Sequence, residues 1–286
     1  MNMTGHRVIR TSSGGLKRWP GLFAPVACLT NNTHLAWQLT RQEILNRYRG
    51  TLLGALWSFI TPLLLLTVFT FVFSVVFQAR WNRAIDSRGE FAVVLFAGFL
   101  VFWLFADCVT RAPHLIVQNV NFVKKVVFPL EILPWTIMLS TLFHTGISVL
   151  VLMIFRSVVF GLPSWTILLF PVVLLPFVFL TLGICWFLSS IAVYYRDTTH
   201  AVSVAITVLM YSSPIIYPMS MVPETLRPIV ELNPLSLIVQ QARMTLLWDE
   251  VPDWIALAKY MMLAWAVAWL GFAWFQKTRK GFASVI

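Results

Sequence analysis

Charge is what this sequence has least of. Only 11% of its 286 residues are charged, 59% are hydrophobic, and mean hydropathy is +0.80. A soluble domain carries about 25% charged residues, so there are too few here to coat a water-soluble globule. Cysteine is scarce as well, and three thiols cannot staple a secreted disulfide scaffold. No G-x-x-x-x-G-K-[ST] loop, no H-E-x-x-H and no C-x-x-C occurs. The chain therefore lacks that route to ATP and those metal-ligand spacings. His6, His34, His114, His144 and His200 are scattered, and no metal site is expected. No carboxylate cluster offers acid–base catalysis or proton coupling, and no half-to-half repeat is visible. These absences argue against a membrane-embedded enzyme and a secondary carrier. Disorder is excluded by 23 Phe and 13 Trp.

Long apolar runs are what the sequence has instead. A helix crosses the hydrocarbon core with about 20 apolar residues. Spans are expected inside 50–79 and over 91–110, 130–155, 165–193, 201–217 and 254–275. Gly161, Pro163 and Ser164 mark the turn between the third and fourth. The stretch 234–248 is apolar but interrupted by Gln240, Gln241 and Arg243, so it reads as a re-entrant or interfacial helix opened by Asn233-Pro234. The expected fold is an all-α integral membrane protein. It has six transmembrane helices, an N-terminal amphipathic interface helix, and re-entrant or interfacial helices between spans five and six. Residues 1–31 read as a mobile cytoplasmic tail, 32–49 as the interface helix and 50–286 as the membrane domain. The apolar patch near Pro25 is too short for a cleaved leader. Cys108 and Cys185 fall in spans, as small apolar fillers.

Net charge is +10, but the basic residues sit in the gaps between apolar runs. That distribution is a topology signal, and a nucleic-acid partner is not expected. The two tails and the gaps after spans two and four hold about twice the Lys and Arg of the other gaps, which places both termini in the cytoplasm.

Several constellations stand out. In 32–49, Trp37, Ile44 and Tyr48 fall on one side of a helix with Leu45 beside them, residue types that anchor at headgroups. Gly50, Gly54 and Ser58 recur at i, i+4 and i+8, a spacing that lets helices approach closely. Asp107 has Arg111 one turn on, and reads either as a gate or relay or as an i,i+4 ion pair. His144 is mid-span, a packed or hydrogen-bonded neutral imidazole. The gap 111–128 mixes apolar and basic residues and ends at Pro129; it reads as a short helix that takes a push from a soluble partner or lies on lipid. Span one carries Thr67, Thr70, Ser74 and Gln78 with Phe71 alongside, and span five carries Ser203, Thr207, Tyr211 and Pro214. Hydroxyls mixed with rings suit a carbohydrate pathway, in which Trp57 is a further candidate. Ser and Thr bonded to their own backbone are the other reading.

The order of short motifs is more specific than any one of them. Arg47-Tyr48-Arg49 is followed by Leu53-Gly54-Ala55-Leu56-Trp57 and Pro62-Leu63. Then come Asn121-Phe122-Val123-Lys124-Lys125 with Phe128-Pro129, Glu131-Ile132-Leu133-Pro134, and Tyr195-Arg196-Asp197. Ser213-Pro214-Ile215-Ile216-Tyr217-Pro218, Val222-Pro223, Asn233-Pro234-Leu235 and the tail Phe282-Ala283-Ser284-Val285 complete the set. From Thr33 onward the chain resembles the permease subunit of a type-2 ATP-binding-cassette exporter of polysaccharides such as O-antigen, capsule or teichoic acid. The long segment before Asn32 departs from that pattern.

The resemblance implies a homodimer in the cytoplasmic (inner) membrane with two copies of a separate nucleotide-binding ATPase. It implies no enzyme activity and no cofactor in this chain, ATP and Mg being bound by the partner. Its cargo is a glycan on a lipid carrier such as undecaprenyl diphosphate. Residues 111–128 correspond to the coupling helix, with Asn121, Lys124, Lys125 and Phe128 as its contacts. Residues 219–248 form the periplasmic re-entrant segment at the exit. Arg47 and Arg49 are candidates for attracting the diphosphate, with headgroup anchoring as their alternative. A drug, peptide or small lipid is the alternative cargo.

Overall fold

A computed structural model describes residues 21–77, 89–124, 128–159 and 161–285. Among the described residues there are helices, turns and loops and no strand. The first helices among the described residues are α1 (Ala24–Thr30), inside the stretch expected as a tail, and α2 (Thr33–Tyr48); the rest of that tail, 1–20, lies outside the described residues. Then come α3 (Trp57–Phe69), continued by a wider π-helical segment Thr70–Val76, and α4 (Glu90–Arg111). A short α5 (Val120–Val123) precedes α6 (Leu133–Val159), α7 (Phe170–Tyr194) and α8 (Thr198–Ser212). The chain closes with α9 (Arg227–Leu232), α10 (Pro234–Leu246), α11 (Trp254–Thr278) and α12 (Phe282–Val285).

Among the described residues, five helical stretches are long and apolar enough to cross a membrane: Gly54–Phe73, Glu90–His114, Leu130–Val158, Trp165–Tyr194 and Trp254–Val285. The expected span at 201–217 is shorter than predicted. Its helix is the 15 residues of α8, about 22 Å of rise against a hydrocarbon core of about 30 Å. Pro214 ends it, because the proline ring pushes the preceding residue out of the α region, and Ser213 is accordingly extended at φ −92, ψ 146.

α4 is the centre of the molecule. It is buried along most of its length and packs against α3, α6, α7, α8 and α10. α3 is the opposite case: Phe59, Leu63, Leu64, Val68 and Phe71 all lie open on its surface. An apolar helix so little covered by its own chain faces lipid or another subunit.

The tightest helix pair is α7 with α11. A Cβ on Gly183 would stand 2.6 Å from the Val267 carbonyl oxygen and 2.7 Å from the Ala268 Cα, and one on Gly271 would meet the Gly183 carbonyl. Close backbone approach therefore occurs at Gly183 and Gly271, not at the predicted Gly50–Gly54–Ser58 stripe. Gly50 (φ +83) and Gly54 (φ +52) are in the left-handed region, and a Cβ on either would meet open space. They shape the turn into α3, a task for which glycine's backbone freedom is the qualification.

Two ion pairs bring α2 and the C-terminal segment to one end of the bundle. Arg47, in the last turn of α2, meets Asp107 near the end of α4. Arg279, just past α11, donates to Glu131 at the start of α6, 2.7 Å away. On α2, Ala36 and Thr40 are buried and the helix packs on α6. Trp37, 66% exposed, and Leu45 point outward, whereas Ile44 and Tyr48 are half-buried and Tyr48 meets His144 on α6, so the stripe read from sequence is open only in part.

Candidate functional site

Charged side chains of α2 and α4 converge with Thr141 and His144 of α6 where these helices meet. Asp107 is the hub. It accepts from Arg47 (Nη1 to Oδ2 3.3 Å, Nη2 to Oδ1 3.4 Å), from Arg111 Nη1 at 3.4 Å and from the Thr141 hydroxyl at 2.7 Å. Arg111 also donates to Glu43 on α2. The Asp107–Arg111 pair expected within one helix is present, but it is part of a network that ties three helices. Beside it the Tyr48 hydroxyl lies 3.1 Å from His144 Nδ1, and the rings meet edge to face. Burial pushes the Tyr48 phenol above its ordinary value, so it stays protonated at neutral pH. His144 is thus hydrogen-bonded, as the sequence suggests. These groups border a cavity of ≈ 330 Å³, lined among others by Tyr48, Trp57, Ser58, Trp103, Asp107 and His144. Trp57 faces this cavity. Arg49 caps α2 through its backbone N–H, which donates to the Asn46 carbonyl at 3.3 Å, and its side chain is exposed.

The chain leaves α4 through two tight turns, Ala112–His114 and Val117–Asn119, before α5. Buried Leu115 and Ile116 pin this segment to the core. Asn121 and Lys124 are exposed on it. Phe128 is not: it is half-buried, its ring stacked on Phe122 at 4.3 Å and 6°. Phe128 therefore braces the segment instead of presenting a free contact. Lys125 lies outside the described residues. A cavity of ≈ 350 Å³ separates the segment from α2, bordered by Gln42, Asn46, Arg111, Gln118, Asn119 and Phe122.

The predicted polar stripes fall on α3 and α8, which both pack on α4. Their hydroxyls are turned to their own helices. Thr67 donates to the Leu63 carbonyl and Thr70 to Leu66, both at 2.8 Å; Ser203 donates to Thr199 and Thr207 to Ser203, both at 3.0 Å. Phe71 and Tyr211 are 60% and 63% exposed beside them. Ser74 belongs to the π-helical continuation of α3, and Gln78 lies outside the described residues. Pro214 departs from the stripe: it is buried, and its carbonyl accepts from Arg243 at 2.8 Å.

Two arginines that the sequence places among loop charges are buried. Arg243 on α10 donates to the carbonyls of Val94 (3.1 Å), Pro214 (2.8 Å) and Ile215 (2.7 Å). The carbonyls of Pro214 and Ile215 lie in the break after α8, which would otherwise leave them unsatisfied; the Val94 carbonyl, inside α4, takes Arg243 as an additional donor. Arg156 near the end of α6 donates to Gly161 O at 2.9 Å and to both oxygens of Asp249 at 2.7 Å. Asp249 itself is in the left-handed region at φ 56. An arginine inside an apolar stretch is the signal that points to such roles. Among the described residues no group of His, Cys, Asp or Glu is arranged to hold a metal ion.

An apolar helical bundle with several stretches long enough to cross a membrane is that of a multi-pass membrane protein. The chain belongs to the ABC-2 type transporter family, a family of transmembrane components, whose pattern matches residues 34–247. It is 29% identical over 251 residues to the O-antigen export system permease protein RfbA of Myxococcus xanthus, covering 87% of this chain and 94% of the relative. Two proteins of the same name from Klebsiella pneumoniae are also similar. One is 27% identical over 205 residues (70% of this chain, 75% of the relative) and the other 25% over 252 (87% and 93%).

Proposed function

We propose that this chain is the transmembrane subunit of an ATP-driven exporter that moves O-antigen polysaccharide, carried on a lipid, across the cytoplasmic membrane. The observation that carries the reading is the length of the match: relatives named for O-antigen export align over 94% and 93% of their own chains.

In this reading α8 and the irregular segment to Tyr217 complete a sixth crossing, with both termini in the cytoplasm. α2 lies along the inner membrane surface, and α9 with α10 forms the re-entrant segment at the outer side. Two copies of the chain assemble with two copies of a partner ATPase, which binds ATP and Mg. The segment after α4 transmits the ATPase stroke through Asn121, Lys124 and Lys125, with Phe128 as its brace. Arg47 and Arg49 receive the carrier's diphosphate. The glycan passes the exposed faces of α3 and α8, along Trp57, Thr67, Thr70, Phe71, Ser74, Gln78, Ser203, Thr207 and Tyr211. The uncovered apolar surface of α3 supports a second copy against it.

Deleting the gene tests the reading. Surface glycan is expected to disappear while lipid-linked glycan accumulates in the cytoplasm, both read on gels. Loss outside with no accumulation inside would assign the chain to synthesis and overturn export.

A further inference from the structure

Arg47 is the one proposed entrance residue that already holds an anion. Its guanidinium lies against the Asp107 carboxylate at 3.3 Å and 3.4 Å, with 43% of its side chain still exposed. Asp107 does not depend on it. The Thr141 hydroxyl donates to Asp107 at 2.7 Å and Arg111 reaches the same oxygen at 3.4 Å. Asp107 therefore stays held when Arg47 leaves, whereas Arg47 has no other partner among the described residues. The contact is longer than the roughly 2.7–2.9 Å of a strong charge-assisted bond, and half-open ion pairs contribute little to stability. It is a contact built to be exchanged.

The charges of the cluster balance. Arg47 and Arg111 face Asp107 and Glu43, and Arg49 stands outside the set, its side chain exposed. Arg47 lies in the last turn of α2, which in the proposed reading lies along the inner membrane surface and exposes Trp37, Arg41 and Leu45. Anionic phospholipids crowd such a surface, and an uncommitted arginine there would be filled by them. An intramolecular carboxylate competes with every phosphate that arrives. Discrimination built by penalising the wrong partner is how specificity is commonly achieved.

We propose that Asp107 is a specificity-determining residue. It keeps Arg47 from the single charge of an ordinary phospholipid headgroup and yields it to a lipid diphosphate, whose second phosphate Arg49 binds. The inference rests on the reading of Arg47 and Arg49 as the entrance and adds the residue that selects what enters.

The test uses the full-length chain in lipid nanodiscs, with farnesyl diphosphate as the probe. Wild type is expected to bind it equally in phosphatidylcholine and in discs that also contain phosphatidylglycerol. Asp107→Asn is expected to bind about tenfold more tightly in phosphatidylcholine and to lose that gain when phosphatidylglycerol is present. Thr141→Val removes the hydrogen bond that holds Asp107 but keeps its charge. It makes the charged Asp107 lean harder on Arg47 and is expected to weaken binding in phosphatidylcholine, the opposite direction, and it serves if Asp107→Asn does not fold. Wild-type behaviour of both variants, with binding lost in Arg47→Gln, would overturn the role of Asp107 and leave the entrance standing. Unchanged binding in Arg47→Gln and Arg49→Gln would remove the entrance itself. Inorganic diphosphate that competes as well as the farnesyl ester would make the site one for a soluble anion and overturn the proposal.

Discussion

Nη2 of Arg243 lies 2.7 Å from where a Cβ on Gly98 would stand. The bare backbone of α4 at that point admits the guanidinium, which then reaches Val94, Pro214 and Ile215. Glycine in a helix interior costs about 0.5–1 kcal/mol relative to alanine; here that cost is offset by the bonds Arg243 makes to the Pro214 and Ile215 carbonyls after α8. Gly98→Ala is expected to lower stability by about 1–3 kcal/mol, the range for overpacking a core. Arg243→Met is expected to cost more, since each buried carbonyl left unpaired costs about 1–3 kcal/mol. Thermal denaturation of the detergent-purified protein measures both, and a stable Arg243→Met protein would refute the clamp.

Gly183 and Gly271 should tolerate less than Gly50 and Gly54. Gly271→Val drives a side chain into the backbone of α7 and is expected to abolish the folded, monodisperse protein in size-exclusion chromatography. Gly50→Ala meets no neighbour and strains only a left-handed φ, about 1–2 kcal/mol. It is expected to leave the folded yield close to wild type.

Lys124→Glu is expected to leave the membrane domain folded, because Lys124 is exposed. Phe122→Ala removes the ring on which Phe128 stacks and loosens the whole segment. Under the proposed function both variants hydrolyse ATP in complex with the partner ATPase but export little glycan. Normal export in both would remove the coupling role from this segment.

Burial pushes the Cys28 thiol up from 9.0 to about 12, so at neutral pH almost none of it is the reactive thiolate. Cys28 is expected to resist maleimide at neutral pH until the protein is denatured, as mass spectrometry would detect. The folded thiol holds its proton more tightly than the unfolded one. Its contribution to stability is therefore fully present below pH 9 and is lost as pH rises toward 12. Rapid labelling of the native protein would contradict the packing of α1.

What can be read from the sequence is set by range. The cores of α4, α6, α7 and α11 are unbroken apolar runs, and such runs announce themselves. The end of α8 is written in Ser213-Pro214, yet the apolar residues after it make the span look longer than its helix. The Gly50–Gly54 spacing fits a helix face equally well as a turn, because periodicity carries no information about φ. The pairing of Arg47 with Asp107, 60 residues apart, is illegible, since neither residue's neighbours specify the partner. Arg156 and Arg243 carry the charge of a loop, although burial with carbonyl partners is the other fate open to an arginine in apolar surroundings.

The hydroxyls of Thr67, Thr70, Ser203 and Thr207 each give their proton to a carbonyl of their own helix. Were the glycan to pass here as proposed, such a wall would offer it lone pairs rather than donors. Each saccharide hydroxyl could donate one weak bond to it and would receive none in return, so no rung of the ladder would grip harder than the next. For a polymer that must move through many identical positions, shallow and repeated minima are the condition for travel. Under the proposed function, these four intrahelical bonds would make the faces of α3 and α8 low-friction surfaces, with no side chain set to grip one sugar harder than another.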